Sequence, residues 1–306
     1  MQTTIQSAVT FSGIGLHTGQ RVRMTVRPAP AGHGVRFRRT DVIGCDAVVP
    51  AHFASVVPSR LCTLVGNGAG VTVSTIEHIM AALAGCGLHN VLIDIDGPEV
   101  PILDGSAAPF VAGLMSRGLA ELDAPVRGFE VLARVEVTEG SAIARLDPAP
   151  MFEIDFSIDF SDAAIGRQRK RLTLSNGTFV RELCDSRTFC RQQDVEAMRA
   201  NGLALGGTYE NAVVVDGGAI LSPGGFRHPD EAVRHKMLDA LGDLSLAGGP
   251  IFGRYTGIRA GHALTNRLLR ELFGTPGAVR MVEVQDERRR VLPGAGLVAA
   301  DIPAVA

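Results

Sequence analysis

The chain has 306 residues, with 30 Lys and Arg against 32 Asp and Glu and a formal net charge of −2. That balance argues against a nucleic-acid binder that works by neutralising phosphates, and the length favours two domains over one hydrophobic core. Hydrophobic residues at 46% and charged residues at 20%, with 5% aromatics and no Trp, fit a folded protein packed on small aliphatic side chains and exclude a disordered one. The densest basic clusters, Arg167, Arg169, Lys170, Arg171 and the run Arg288 to Arg290, have no interleaved aromatics for base stacking and read as solvated faces. Cys45, Cys62, Cys86, Cys184 and Cys190 form an odd set with no Cys-x-x-Cys pair, so neither a disulfide framework nor a thiolate zinc site is expected and a reducing cytoplasm is the simple reading. The N-terminal MQTTIQSAVTF lacks a basic n-region and an apolar h-region, and no apolar run approaches the ~18 residues that span a bilayer, so neither export nor membrane insertion is expected.

In chain order, β-rich runs at 22–26 and 91–95 are punctuated by Gly and Pro, and helical patterns fall near 75–85 and 107–117. Asp123 to Arg127 reads as a linker, and strands resume at Phe129–Val137, Ala142–Leu146 and Phe152–Ile158. This divides the chain into an α+β domain over 1–123 and a second over 128–306. Residues 190–212 read as a helix and Gly-rich turn with no counterpart in the first half, a segment of the kind that serves function. Pro229, Asp230 and Glu231 start a helix that runs to about Leu246, and another begins near Ala263. The runs EHIMAALAG from 77 and RHKMLDALG from 234 align without a gap, His on His and Met on Met, which suggests a duplicated domain; chance similarity of two amphipathic helices is the alternative. A pseudo-twofold arrangement of such copies would bring the two helix starts together.

On the later helix His235, Asp239 and Asp243 are spaced by four and share a face, beside Lys236 and opposite the apolar Met237, Leu238 and Leu241. A His and a carboxylate at that spacing can bind one metal with a further ligand from elsewhere, or simply decorate a surface helix. Glu77 and His78 open the earlier helix, where Ser74-x-x-Glu77 also matches a capping box. If His78 joins His235 and Asp239, two His and one carboxylate leave a coordination position open for water, as catalytic zinc sites do, and Glu77 is suited to take that water's proton. His262, in GIRAGHALTN, has Asp243 as an orienting partner and could stabilise an oxyanion and protonate a leaving amine. His17 lies in SGIGLHTG, a Gly-rich turn able to approach a polar ligand. His33, His52, His89 and His228 show no such setting, and neither a P-loop nor a dinucleotide fingerprint is present.

The chain closely resembles one family, the UDP-3-O-acyl-N-acetylglucosamine deacetylases of lipid A biosynthesis. The matching runs are SGIGLHTG at 12–19, STIEHIMAAL at 74–83, DGPEVPILDGSA at 96–107, SRTF at 186–189, VRHKMLDALGDL at 233–244 and AGHAL at 260–264, spread over nearly the whole chain. The resemblance implies a zinc amidase that removes acetate from a UDP-linked, O-acylated N-acetylglucosamine, with Fe²⁺ as an alternative metal. It assigns the metal to His78, His235 and Asp239, the general base to Glu77, and the second catalytic position to His262 supported by Asp243. It gives Thr188 a share of the oxyanion, Lys236 the sugar and diphosphate, and further substrate contacts to Phe189, Gly207, Leu61 and His17. The family fold is two similar α+β domains with helices between two outer sheets and an insert in each, the second insert forming the acyl passage; by position that is 190–212, with Leu203, Leu205 and Gly207. Departures are confined to Ala260, where a Ser is expected, and to the tail from about Arg288. A cytoplasmic monomer, touching a membrane surface at most transiently, completes the expectation. Two rivals keep part of the pattern: a non-haem Fe(II) oxygenase, whose facial triad is also two His and a carboxylate, and a non-catalytic UDP-sugar or lipid-intermediate binder with a structural metal.

Overall fold

The computed structural model describes residues 1–304. Alternation of buried and exposed residues along Val9–Ile14 and Arg21–Pro28 marks strands with one face on a core. These strands join Val91–Ile95, Val35–Arg39 and Val48–Pro50, in that order, in a five-stranded sheet. Every neighbouring pair is antiparallel except Val35–Arg39 with Val91–Ile95, which is parallel. In the second half Val135–Glu139, Ala142–Asp147, Ile251–Ile258, Phe152–Asp159 and Arg167–Thr173 follow one another with the same senses, the parallel pair again joining the third and fourth. Arg127–Val131 extends this sheet, pairing with the start of Ile251–Ile258 and with Val279–Glu283. Each half also carries a small three-stranded sheet, Val56–Val57 with Leu64–Gly66 and Thr72–Val73, and Phe189–Arg191 with Val213–Asp216 and Ala219–Ile220. The fold is thus mixed α+β.

The helices are α1 (Glu77–Gly85), α2 (Ala108–Met115), α3 (Thr178–Glu182), α4 (Gln192–Ala200), α5 (Glu231–Ser245), α6 (His262–Gly274) and α7 (Asp286–Arg289). In α1, Ile79, Met80, Ala81, Ala82 and Leu83 are all buried, the pattern of a helix enclosed on every side. It packs along α5, which in turn meets α6. Residues from both large sheets and from α1, α2, α5 and α6 belong to one contiguous apolar core. The closest approach is at Gly242: a Cβ there would lie 2.1 Å from the Glu77 carbonyl oxygen. Glycine is therefore what lets the first turn of α1 rest on the backbone of α5.

Several local expectations change. The run 129–137 is two strands, because residues 127–131 pair with 279–283 while 135–139 turn to 142–146. Arg127, read as linker, is already in the first of them. Pro229 lies ahead of α5, which starts at Glu231 with Asp230 at the N-cap, and the Asp230 carboxylate accepts from the Lys170 and Arg234 side chains and makes no cap bond to the helix N–H groups. The capping box at Ser74 does not form: the Ser74 hydroxyl donates to the Pro98 carbonyl, while Glu77 accepts the Thr63 N–H. Arg169 and Arg171 face outward and pair with Asp155 and Glu153, but Lys170 between them turns inward to Asp230, and Arg288 bonds Glu130 while lying over the Phe252 ring, so the basic runs are solvated only in part. The tail docks, since the Leu292 and Pro293 carbonyls accept the Asn176 and Gly177 N–H groups. All five cysteines are free. Among the described residues no helix is long and apolar enough to cross a membrane.

Gly242→Ala is expected to lower stability by about 1–3 kcal/mol through overpacking against the α1 backbone. Gly68→Ala, whose Cβ would have no neighbour within 4 Å, should stay within about 0.5 kcal/mol of the parent. Urea denaturation of the two variants checks this, and equal midpoints would remove the claim that the crossing is sterically set.

Candidate active site

The close α1–α5 crossing brings together side chains that are 157 residues apart in the numbering, as shown by His78 and His235, whose ring centroids are 5.0 Å apart. His78 Nε2 lies 3.7 Å and His235 Nε2 3.3 Å from Asp239 Oδ1. One ligand atom from each of the three buried residues lies within 4.8 Å of the others. His235 Nδ1 sits 3.0 Å from the Ser186 carbonyl; donation there leaves the Nε2 lone pair facing the cluster. Burial, with the neighbouring His235 adding to it, pushes His78 down to about 3. Burial also lowers His235. Burial opposes the Asp239 charge, but His235 and Lys236 outweigh it and hold the carboxyl far below the usual range. Neutral imidazoles and an ionised carboxylate are the forms that ligate a metal. The Asp239 Oδ2 accepts Lys236 Nζ at 2.7 Å, whereas Oδ1 is buried without any hydrogen-bond partner. A buried, unpartnered carboxylate oxygen is costly unless a cation sits against it, so the donor set fits a divalent metal.

A second pair stands beside this cluster. His262 Nδ1 is 2.8 Å from Asp243 Oδ2, and its Nε2 is 3.8 Å from Glu77 Oε1. Thr63 joins the two carboxylates, donating its N–H to Glu77 at 3.0 Å and its hydroxyl to Asp243. Burial raises Glu77 to about 7, though His262 pulls the other way. For His262 burial opposes the charge, but Asp243 and Glu77 override it and lift the imidazole to about 9. The arrangement therefore offers a poised carboxyl group and an imidazolium across one small gap.

These groups open into a cleft of about 710 Å³. Of the residues singled out from sequence, Glu77, His78, His235, Asp239, His262, Lys236, Thr188, Phe189, Gly207, Leu61 and His17 all line it; Asp243 stands behind His262. Phe189 meets the His235 ring edge-on at 6.2 Å. The loop carrying His17 is held by Glu99, whose carboxylate accepts the His17 and Thr18 N–H groups at 2.8 Å and the Thr75 hydroxyl at 2.9 Å. Leu205 and Gly206 donate to the His17 and Leu16 carbonyls, so the 190–212 segment closes onto that loop. Lys236 keeps its proton because Asp239 outweighs the cost of burial. Sequence reasoning missed Thr63, Glu99 and Ser186. Glu99 lies within DGPEVPILDGSA, but no spacing marks any of the three, since each acts through contacts from distant segments. A separate apolar cavity of about 130 Å³, between α1, α5 and residues 291–293, contains none of the cluster.

An α+β fold holding a His, His, Asp donor set next to a Glu and an Asp-braced His has the make-up of a metal-dependent hydrolase. The family described as UDP-3-O-acyl N-acetylglycosamine deacetylase matches residues 2–274. A protein named UDP-3-O-acyl-N-acetylglucosamine deacetylase from Phenylobacterium zucineum (strain HLK1) is 51% identical over 280 residues, covering 92% of this chain and 96% of that one. One of the same name from Myxococcus xanthus (strain DK1622) is 46% identical over 296 residues, covering 97% and 93%. Another from Anaeromyxobacter sp. (strain Fw109-5) is 45% identical over 286 residues, covering 94% and 93%. The chain belongs to the UDP-3-O-acyl-N-acetylglucosamine deacetylase family.

In the metal-free protein the His262 ring should titrate near 9 and remain charged at neutral pH. Asp243→Asn should bring it down toward or below the ordinary value of about 6.5. NMR of the labelled imidazole decides, and an unmoved titration would show that Asp243 does not set the charge.

Proposed function

We propose that this chain hydrolyses the N-acetyl group of UDP-3-O-(3-hydroxyacyl)-N-acetylglucosamine, releasing acetate and the free amine, the committed step of lipid A biosynthesis. The observation that carries the reading is the orphaned Asp239 oxygen facing two neutral imidazoles beside Glu77. His78, His235 and Asp239 would hold one divalent ion, Zn²⁺ or Fe²⁺, and leave a coordination position free. That ion supplies Lewis acidity, polarising the acetamide carbonyl and making water acidic enough to ionise near neutrality.

The chain's own groups do the rest. Glu77 takes the proton of the attacking water; burial makes its carboxylate more basic than an exposed one, which suits it to that task. His262, kept charged by Asp243, stabilises the oxyanion together with the Thr188 hydroxyl and then protonates the leaving amine. Glu77 returns its proton to His262 across 3.8 Å, which resets the pair. Lys236 offers a cation to the sugar and diphosphate, His17 and Gly207 face them across the cleft, and Leu61, Phe189 and Leu203 give the acyl chain an apolar wall.

The division at 1–123 and 128–306 is read as a duplication with helices between two outer sheets, supported by the shared strand order and by the alignment of α1 with α5. The proposed catalytic groups all lie within this chain, so a monomer would suffice for the reaction, and the five free cysteines support a reducing cytoplasm. Exposed Leu61 and Tyr209 at the cleft support brief contact with a membrane surface, while Leu205, expected in the acyl passage, is exposed and does not line the cleft.

The test couples metal analysis to acetate release from the UDP-acyl-sugar. His78→Ala should lose the metal. Glu77→Ala should keep it yet lose roughly 10²–10⁴-fold in kcat, and an unchanged kcat would remove Glu77 as the base. Because His262 must be protonated, kcat/KM should fall on the alkaline side as the ring loses its proton, and Asp243→Asn, which removes the carboxylate that raises it, should move that decline to lower pH.

A further inference from the structure

A carboxylate and a guanidinium outside the reacting cluster are among its most enclosed charges: Glu231 is 0% and Arg187 6% exposed. Glu231 Oε1 accepts the Arg187 backbone N–H and Nε, each at 2.9 Å. Its Oε2 accepts Arg187 Nη2 at 3.1 Å and the Arg227 backbone N–H at 2.6 Å. Arg187 Nη2 also donates to the Gly225 carbonyl at 2.7 Å. One carboxylate thus fixes the main chain at 187 and 227. Buried ion pairs seldom add net stability over apolar packing of equal volume, so the pair needs a geometric explanation.

The neighbours supply one. Glu231 is the first residue of α5 and lies four residues before His235, which is four before Asp239, so all three follow one helix face. Arg187 stands between Ser186, whose carbonyl orients His235 at 3.0 Å, and Thr188, which lines the cleft. Thr188 is tied from its other side by N–H donation to the Gly105 carbonyl and by its carbonyl accepting the Val213 N–H, each at 2.8 Å.

We propose that the Arg187–Glu231 pair is a positioning device that registers residues 186–188 on α5, so that one bracket sets both the His235 ring and the Thr188 hydroxyl. The inference rests on the roles given above to His235 and Thr188. It makes Arg187 and Glu231 positioning residues that touch neither substrate nor metal.

Arg187→Lys in the full chain keeps a cation but cannot give two parallel bonds to Glu231 and a third to Gly225. It should lower kcat about 10–100-fold with KM changed less than about threefold, and speed metal loss to a chelator about tenfold. The Arg187→Lys, Thr188→Val double variant should lose little more than its worse single, because the two act as one unit. A lowered melting temperature with unchanged kcat and metal-loss rate would overturn the proposal and leave the pair a fold element. Full additivity in the double variant would also count against it. Should Arg187→Lys fail to fold, Glu231→Gln is read by the same criteria. If the unaltered enzyme released no acetate, the functional reading would fall, whereas metal-loss rates would still judge the bracket.

Discussion

The contact on which the rest of this molecule depends is the crossing of α1 and α5 at Gly242. Because no side chain intervenes, the Glu77 carbonyl rests on the α5 backbone, and the first turn of α1 faces the middle of α5. Glu77 and His78 come from one helix, His235, Asp239 and Asp243 from the other, and no single helix face could present all five to one point. The large sheets and the shared apolar core serve this crossing by holding the two helices at fixed height. Close packing leaves little room for either helix to slide, so the spacing of the buried donors is set by the core and not by the donors themselves.

Around the crossing, charge is buried only where something answers it. Glu77 and Asp243 share Thr63, Asp243 braces His262, Lys236 answers one oxygen of Asp239, and Arg187 answers Glu231. The other oxygen of Asp239 is the exception, and it points toward two imidazoles that burial keeps neutral. His17 Nδ1 and Ser186 Oγ are also buried without partners, but Asp239 Oδ1 is the one that carries charge, and the cost of leaving a charged oxygen unmet is large unless a cation completes it. The proposed metal position follows from that mismatch as much as from the identity of the donors.

The second layer shows how loops far apart in the chain become parts of one device. Glu99 pulls the His17 loop to Thr75, a non-glycine residue at φ 57 just before α1, and the 190–212 segment closes on that loop. Ser186 and Arg187 are anchored to the first turns of α5 through His235 and Glu231. Both arrangements use buried carboxylates to collect backbone N–H groups, which orders irregular chain without adding secondary structure.

The amino-acid sequence by itself determined the α+β rhythm, most strand and helix positions, the four-residue spacing of His235, Asp239 and Asp243, and the Glu77–His78 pair. Those are local facts, written in hydrophobic period and side-chain type. The alignment of EHIMAALAG with RHKMLDALG offered a reason for the helices to meet, and the family resemblance named the chemistry. What failed locally failed for tertiary reasons: Ser74 was drawn to Pro98 rather than the helix start, and 129–137 was split by two different strand partners. Only the tertiary structure decided that His78 meets Asp239, that Thr63 joins two carboxylates, that Glu99 holds the His17 loop, and that Glu231 reaches Arg187 rather than solvent. Each of these joins segments far apart in the chain, and such contacts are set by how whole elements pack, which no local periodicity encodes.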